Sequence, residues 1–263
     1  MQNIFNNLTA SFRKNRGVLT FEQFEVLMQK NTMLFTDTYS IFLILQSSGY
    51  PIEENEKRDG FILTTMFKDY KSQKFCILDI ETNGSKPTDS QVIEIGAMIV
   101  QDGEIIDKFE TFVQCTYLPS YITKITNIEI EDLIDAPPIK DALLELKLFM
   151  KNYIFVAHNV SFDFSFLNHS FERFGLGSIG NAKLCTIDLA RRTFESEKYG
   201  LAYLNESLNI KSANHHRAYS DAYSAFVVMQ KSLETLPHYV RNTDELIEFT
   251  VSSRKVRKSK NKV

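Results

Sequence analysis

Four carboxylates and one histidine stand in three short segments far apart in the chain: Asp79-Ile80-Glu81, Phe162-Asp163 and His216-Arg217-Ala218-Tyr219-Ser220-Asp221. Acids carried on hydrophobic elements can share one pocket only where cations neutralise them, and a neighbouring histidine then supplies a base that lets water attack. Oxygen-only donors suit hard ions, so Mg²⁺ or Mn²⁺ is expected in preference to zinc. Two such ions about 3.5–4 Å apart would activate the attacking water and stabilise the leaving oxygen of an in-line phosphoryl displacement.

Each segment is weakly informative alone. Asp79 and Glu81 are two apart at the end of the apolar run KFCILDI, so on a strand they share a face; a strand leaving the core and turning polar would look the same. Thr82-Asn83-Gly84 follows, where a glycine permits a tight turn and exposes backbone N–H groups to a ligand. Asp163 falls where the strand YIFVAH meets a helix, a place where an acid is also favourable against the helix dipole. Beside it, Phe162 could pack in the core or wall off a base, and Asn159 could cap the helix or bond a substrate. His216 and Asp221 bracket the start of a further helix, with His216 on the preceding loop and Asp221 in the first turns. His215 is the nearest competitor for the role of base. Taken together, all four acids sit at the ends of elements that could line one end of a single sheet.

Those elements read clearly from Phe75 onward. KFCILDI is a short continuous apolar run, as expected of a strand buried on both faces. VIEIGAMIV and EIIDKFETFVQ follow it, separated by the Asp102-Gly103 turn, as antiparallel partners. KDALLELKLFMKN is helical, YIFVAH a strand, FDFSFLNHSFERFG a helix ending at Gly175, and AKLCTIDLAR a strand running into a helix. YGLAYLNESLNI and RAYSDAYSAFVVMQKSLETL complete the set as helices. Three antiparallel strands followed by two that alternate with helices is the plan of a ribonuclease-H-like α/β fold, a mixed five-stranded sheet flanked by helices.

Residues 1–70 form a separate module by the same reading, 71–236 the main domain, and 237–263 a C-terminal segment. In the module, Thr20 and Gln23 can form a capping box before FEQFEVLMQK, and a second helix runs from Asp37 to Gly49. Two apolar runs then flank an Asp59-Gly60 turn signal, and helices followed by a ribbon make a small winged-helix-like α+β module. It carries seven basic and eight acidic side chains, and a phosphate reader needs a net basic face, so protein docking or packing is expected of it. Phe67 to Lys74 is the expected linker.

Formal net charge is −3 over 263 residues, yet six of the 30 basic side chains fall in the last eleven residues with no acid among them. That basic tail could hold a polyanion by counterion release or merely solubilise the chain. Cys76, Cys115 and Cys185 are widely spaced in apolar stretches, as free buried thiols would be. The chain shows no apolar run long enough for a membrane span and no secretory signal, so a cytoplasmic protein is expected.

ILDIETNG, HNVSFDFSFL and HHRAYSDA together resemble the three motifs of the DEDDh family of 3′→5′ exonucleases, in order and with similar intervals, and VIEIGA resembles the strand after the first motif. The resemblance spans roughly Lys74 to Leu236 and is closest to the proofreading (epsilon) subunits of bacterial DNA polymerase III, although about 70 residues precede it here. It implies Asp79, Glu81, Asp163 and Asp221 as ligands of two divalent cations, with Asp79 bridging, and His216 as general base. It also implies Thr82, Asn83, Asn159 and Phe162 around the terminal nucleotide. The other branch of the family has a tyrosine four positions before the last aspartate; Arg217 stands there, and His216 keeps the histidine branch's spacing of five. The implied activity is release of nucleoside 5′-monophosphates from single-stranded or frayed DNA 3′ ends, in proofreading or repair, with a DNA polymerase catalytic subunit as a candidate partner. An exoribonuclease of the ribonuclease T or oligoribonuclease type would use the same chemistry. A non-catalytic polymerase-docking scaffold would keep the fold alone, and the complete set of acids and histidine speaks against it.

Overall fold

The computed structural model describes residues 1–31, 37–211 and 216–251. The basic tail and His215 lie outside the described residues. The N-terminal module contains α1 (Gln2–Lys14), β1 (Val18–Thr20), α2 (Phe21–Asn31), α3 (Thr38–Ser47), β2 (Ile52–Glu54) and β3 (Gly60–Leu63). Its strands pair antiparallel in the order β1-β3-β2 around a core that includes Phe12, Phe24, Leu45, Ile52 and Phe61. Helix, strand, two helices and a two-stranded ribbon follow one another in the chain.

Local signals act here as read. The Gln23 N–H donates to Thr20 Oγ1 at 3.2 Å and the Thr20 N–H to Gln23 Oε1 at 3.0 Å, a complete capping box. Asp37 accepts from the Ser40 N–H at 2.9 Å and starts α3, which stops before Gly49 at φ +83°. The ribbon's turn differs from expectation: its left-handed residue is Arg58, and Gly60 already belongs to β3, where a side chain would collide with the Leu19 backbone. Helix α1 and strand β1 were not expected, and they complete the module.

The second unit is a five-stranded sheet of β4 (Phe75–Thr82), β5 (Val92–Gln101), β6 (Glu104–Phe112), β7 (Ile154–Ala157) and β8 (Lys183–Cys185) in the order β6-β5-β4-β7-β8. β4, β5 and β6 run antiparallel, while β7 and β8 lie parallel to β4. β4 is therefore central, which is why its run is apolar on both faces. The turn between β5 and β6 puts Asp102 and Gly103 at φ 52° and 79°, the type I′ geometry that an Asp-Gly pair favours.

The remaining helices are α4 (Ser120–Thr126), α5 (Ile130–Ile134), α6 (Ile139–Met150), α7 (Val160–Arg173), α8 (Thr186–Thr193), α9 (Leu201–Ser207), α10 (Ala218–Leu233) and α11 (Thr243–Val251). Cys76, Leu78 and Ile80 face a core shared with α6 and α7, whereas Phe75 and Ile77 face one shared with α8, α10 and α11. By strand alternation Asp79 and Glu81 continue the second set, on the side that α10 covers. α10 comes unusually close there, because a side chain at Gly96, the register partner of Asp79, would overlap the Tyr219 backbone.

Helix α11 falls in the segment expected to follow the domain, yet Leu246, Ile247 and Phe249 pack into the second core. It also receives the N-terminal module: Arg13 grips Asp244 through Nε and Nη2 at 2.9–3.3 Å and pairs with Glu248 at 2.5 Å. The Gly180 N–H donates to Ser48 O at 2.6 Å, fastening the module at a second point. All three cysteines are free, Cys76 and Cys115 buried and Cys185 half-buried. Among the described residues no helix is long and apolar enough to cross a membrane.

Candidate active site

The parallel pairing of β4 with β7 runs only as far as Ile77 opposite Val156, and β4 continues to Thr82. Chain leaving β7 turns at Asn159, at φ 70°, and begins α7, so the first turn of that helix fills the space beside the free end of β4. Asp163 is buried there near the Ile80 backbone, which favours its charged form. The polar backbone at the free end of the strand thus faces the third acid. On the opposite face α10 delivers Asp221 in its first turn.

The ligand atoms of Asp79, Glu81 and Asp221 all come within 4.8 Å of one another. Asp163 adjoins this triangle and is the strongest charged neighbour of Asp79. Burial, and then the charges of Asp163, Asp221, Glu81 and Glu94, hold the Asp79 carboxyl well above the usual carboxylate range. Burial together with Asp221, Glu94 and Asp163 pushes Glu81 up to about 8, against a downward pull from Arg217. Asp163 is raised by burial, partly offset by backbone N–H donors. Acids that raise one another in this way form a crowded, oxygen-only donor set, which fits a hard divalent cation.

His216 is exposed on the approach to α10, at φ 59°. With Asp221 it lines an open cleft of about 740 Å³ whose other wall comes from α9 and the residues after it. Asn205 of α9 lines the same cleft; among the described residues its buried side-chain amide has no hydrogen-bond partner.

The four residues expected near a terminal nucleotide are placed differently from one another. Phe162 is 39% exposed, with its ring 5.7 Å from that of Phe166, and Asn159 is exposed without making the side-chain cap that was one of its two expected uses. Thr82 is buried and its hydroxyl donates to Gly84 O at 2.8 Å. The Asn83 amide donates to Tyr117 O at 3.1 Å and accepts from the Gln91 N–H at 2.8 Å. Asn83 therefore ties the turn after β4 to two other loops through its side chain. Gly84 keeps an ordinary φ, and a side chain there would meet the Ser90 side chain, which would have to turn aside.

Two residues of the site escaped the sequence reading. Glu94 on β5 is buried, sits opposite Glu81 in the sheet register, and accepts from Arg217 Nε and Nη2 at 3.0 and 2.9 Å and from the Ala218 N–H at 3.1 Å. Its signal was an acid inside the otherwise apolar run VIEIGAMIV, since a buried carboxylate must be paired. His158, at the end of β7, exchanges hydrogen bonds with the Thr186 hydroxyl at 2.8 Å and Tyr199 O at 2.9 Å. Burial lowers its pKa to about 4, so it is a neutral strut between β7, α8 and the loop before α9.

The family described as Exonuclease (RNase_T) matches residues 76–229 of this chain. Its relatives include proteins named DNA polymerase III PolC-type, one from Staphylococcus saprophyticus at 38% identity over 174 residues and one from Caldanaerobacter subterraneus at 34% over 201. These alignments cover 64% and 75% of this chain but only 12% and 14% of the relatives, so the chain spans a small part of their length. Among solved structures, E. coli exonuclease I in complex with a dT13 oligonucleotide superposes with a TM-score of 0.55 at 19% identity, covering 62% of this chain and 41% of that one. Exonuclease X in complex with 5′ overhanging duplex DNA gives 0.51 at 23% identity, covering 67% and 99%. At such identities the likeness is one of fold.

Proposed function

This chain belongs to the exonuclease family as a 3′→5′ exonuclease related to those of DNA polymerase III, and from that premise we propose that it removes nucleoside 5′-monophosphates from single-stranded or frayed DNA 3′ ends in proofreading or repair. The convergence of Asp79, Glu81 and Asp221 beside Asp163, with His216 on the rim of the cleft that Asp221 lines, carries the reading. Asp79, Glu81, Asp163 and Asp221 would hold two divalent cations, Mg²⁺ or Mn²⁺, with Asp79 as the ligand common to both. Those ions, when bound, lower the pKa of an attacking water and stabilise the departing 3′ oxygen.

His216 takes the proton from the water as it attacks; a histidine on an exposed loop can approach and withdraw, and an imidazole is the side chain suited to base catalysis near neutral pH. Phe162 offers an exposed ring to the terminal base, and Asn159 offers beside it an exposed side chain that is not used to cap its helix. Thr82 and Asn83, whose side chains already have protein partners, contact the nucleotide through the backbone of their turn. Unpaired ends are preferred because separating a mismatched base costs less.

DNA is favoured as substrate, and a polymerase as partner, by the PolC-type relatives. The N-terminal module supports docking to protein more than to DNA: α3 exposes Tyr39, Leu43 and Ile44, and the ribbon exposes Glu53 and Glu54. The test is to incubate the protein with Mn²⁺ and matched 5′-labelled single strands of DNA and RNA, beside His216→Ala. A DNA ladder shortening from the 3′ end and lost in the variant is the expected result. Preferential trimming of RNA would assign the chain to the exoribonucleases, and no cleavage of either strand would reduce it to a scaffold.

A further inference from the structure

Asp221 lies in the first turn of α10 and His216 two residues before that helix, so whatever fixes the start of α10 fixes both. A contact from another element is made there by Glu94. One carboxylate oxygen takes both Arg217 donors at 2.9 and 3.0 Å, and the other takes the Ala218 N–H at 3.1 Å. The carboxylate thus caps a helix from another element, a role normally filled by the residue preceding the helix; α10 receives no side-chain cap from its own N-cap residue, Arg217. The Arg217 guanidinium is held from a second side by the Phe112 ring, 5.1 Å from its centroid. Glu94 is itself set by the sheet, opposite Glu81 and two residues before Gly96, against which α10 packs. One strand therefore carries both the cap and the small residue that set the height and direction of the helix.

We propose that Glu94 is a positioning residue for catalysis: with Arg217 and the Ala218 N–H it forms a clamp that holds His216 and Asp221 at working distance from Asp79 and Glu81. This rests on His216 being the base. Arg217, which occupies the position where the other branch of the family carries its tyrosine, serves here as the grip on which the clamp closes. The carboxylate also lies within electrostatic reach of Glu81, and pairing with Arg217 lets a fifth acid stand beside the site without competing for cations.

The test compares wild type with Glu94→Gln and Arg217→Met in three measurements: steady-state turnover of a 5′-labelled DNA strand, Mn²⁺ binding, and hydrogen exchange at the Ala218 amide. Both variants are expected to lose kcat by about 10- to 100-fold, the scale on which misplacing a reacting group acts. KM should stay within about twofold, Mn²⁺ binding should weaken by clearly less than kcat because Asp79, Glu81 and Asp163 keep their places, and Ala218 should exchange faster. Arg217 is partly exposed, so its removal tests the clamp even where Glu94→Gln does not fold. Unchanged kcat and unchanged Ala218 exchange in a folded variant would overturn the proposal, as would loss of Mn²⁺ binding in step with kcat, which would make Glu94 a metal-site residue. An inactive wild type would defeat the exonuclease reading, while the exchange of Ala218 would still decide whether the clamp exists.

Discussion

The acids of this site are placed where protein alone disfavours them. Burial and neighbouring carboxylates raise Asp79 and Glu81, so without metal each must hold a proton or carry a poorly solvated charge. Asp79→Asn should therefore abolish turnover while stabilising the metal-free protein at pH 8 by about 1 kcal/mol or more, the scale on which a neutral group of similar size improves on a buried charge. Thermal unfolding in EDTA measures this, and substantial residual activity in the variant would remove Asp79 from the role of bridging ligand. His158 gives a prediction of opposite sign. Its pKa falls from 6.5 unfolded to about 4 folded, so the unfolded chain binds the extra proton between those values. The stability advantage of wild type over His158→Gln should be constant above pH 6.5 and shrink as pH falls towards 4; an advantage that grows on acidification would show that the ring is charged in the folded protein. At this scale the four acids stood out, because they break apolar patterns at element ends. Glu94 was hidden within such a pattern, and the use of Asn83 depends on partners at Gln91 and Tyr117 that no local spacing reveals.

Elements were legible where local chemistry marks their ends. The capping box of Thr20 and Gln23, the Asp37 cap and the Asp102-Gly103 turn need only neighbours in sequence. α1 lacked such marks: its buried stripe of Phe5, Leu8 and Phe12 is spread through a polar segment, and the helix has no side-chain cap. α11 is short and its apolar residues become a core face only because α8 and the second core lie beneath them. The short helices α4 and α5 sit in what reads as a loop. The approach of α10 to the sheet was likewise invisible, and it carries a strong prediction. Gly96→Ala should push α10 away from β5, lowering stability by about 1–3 kcal/mol through overpacking and reducing kcat, because the displaced helix carries Asp221 and the loop of His216. Unfolding and turnover measured on one preparation check this; full activity with normal stability would mean that the helix yields without disturbing the site.

Over the whole molecule, a small N-terminal module of three helices and a three-stranded sheet is bolted to a nuclease domain through α11. The change of pattern near residue 70 suggested a division of the chain, whereas the fastening gave no sign, since Arg13 and Asp244 are 231 residues apart in sequence. Arg13→Ala leaves the largely buried Asp244 carboxylate without its bidentate partner and should lower stability by about 1–2 kcal/mol, the scale of a charged hydrogen bond. Denaturant unfolding tests this, and a single unaltered transition would show that the module contributes nothing to the stability of its neighbour. Sheet, helices and clamp together bring four carboxylates to one place, and the functional reading depends on those carboxylates sharing divalent cations. Calorimetric titration of Mn²⁺ into wild type and Asp79→Asn asks this without reference to any substrate. Saturable binding by the wild type should be weakened about tenfold or more by the substitution. A wild type that binds no Mn²⁺, or a variant that binds it as well as the wild type does, would refute the shared metal site.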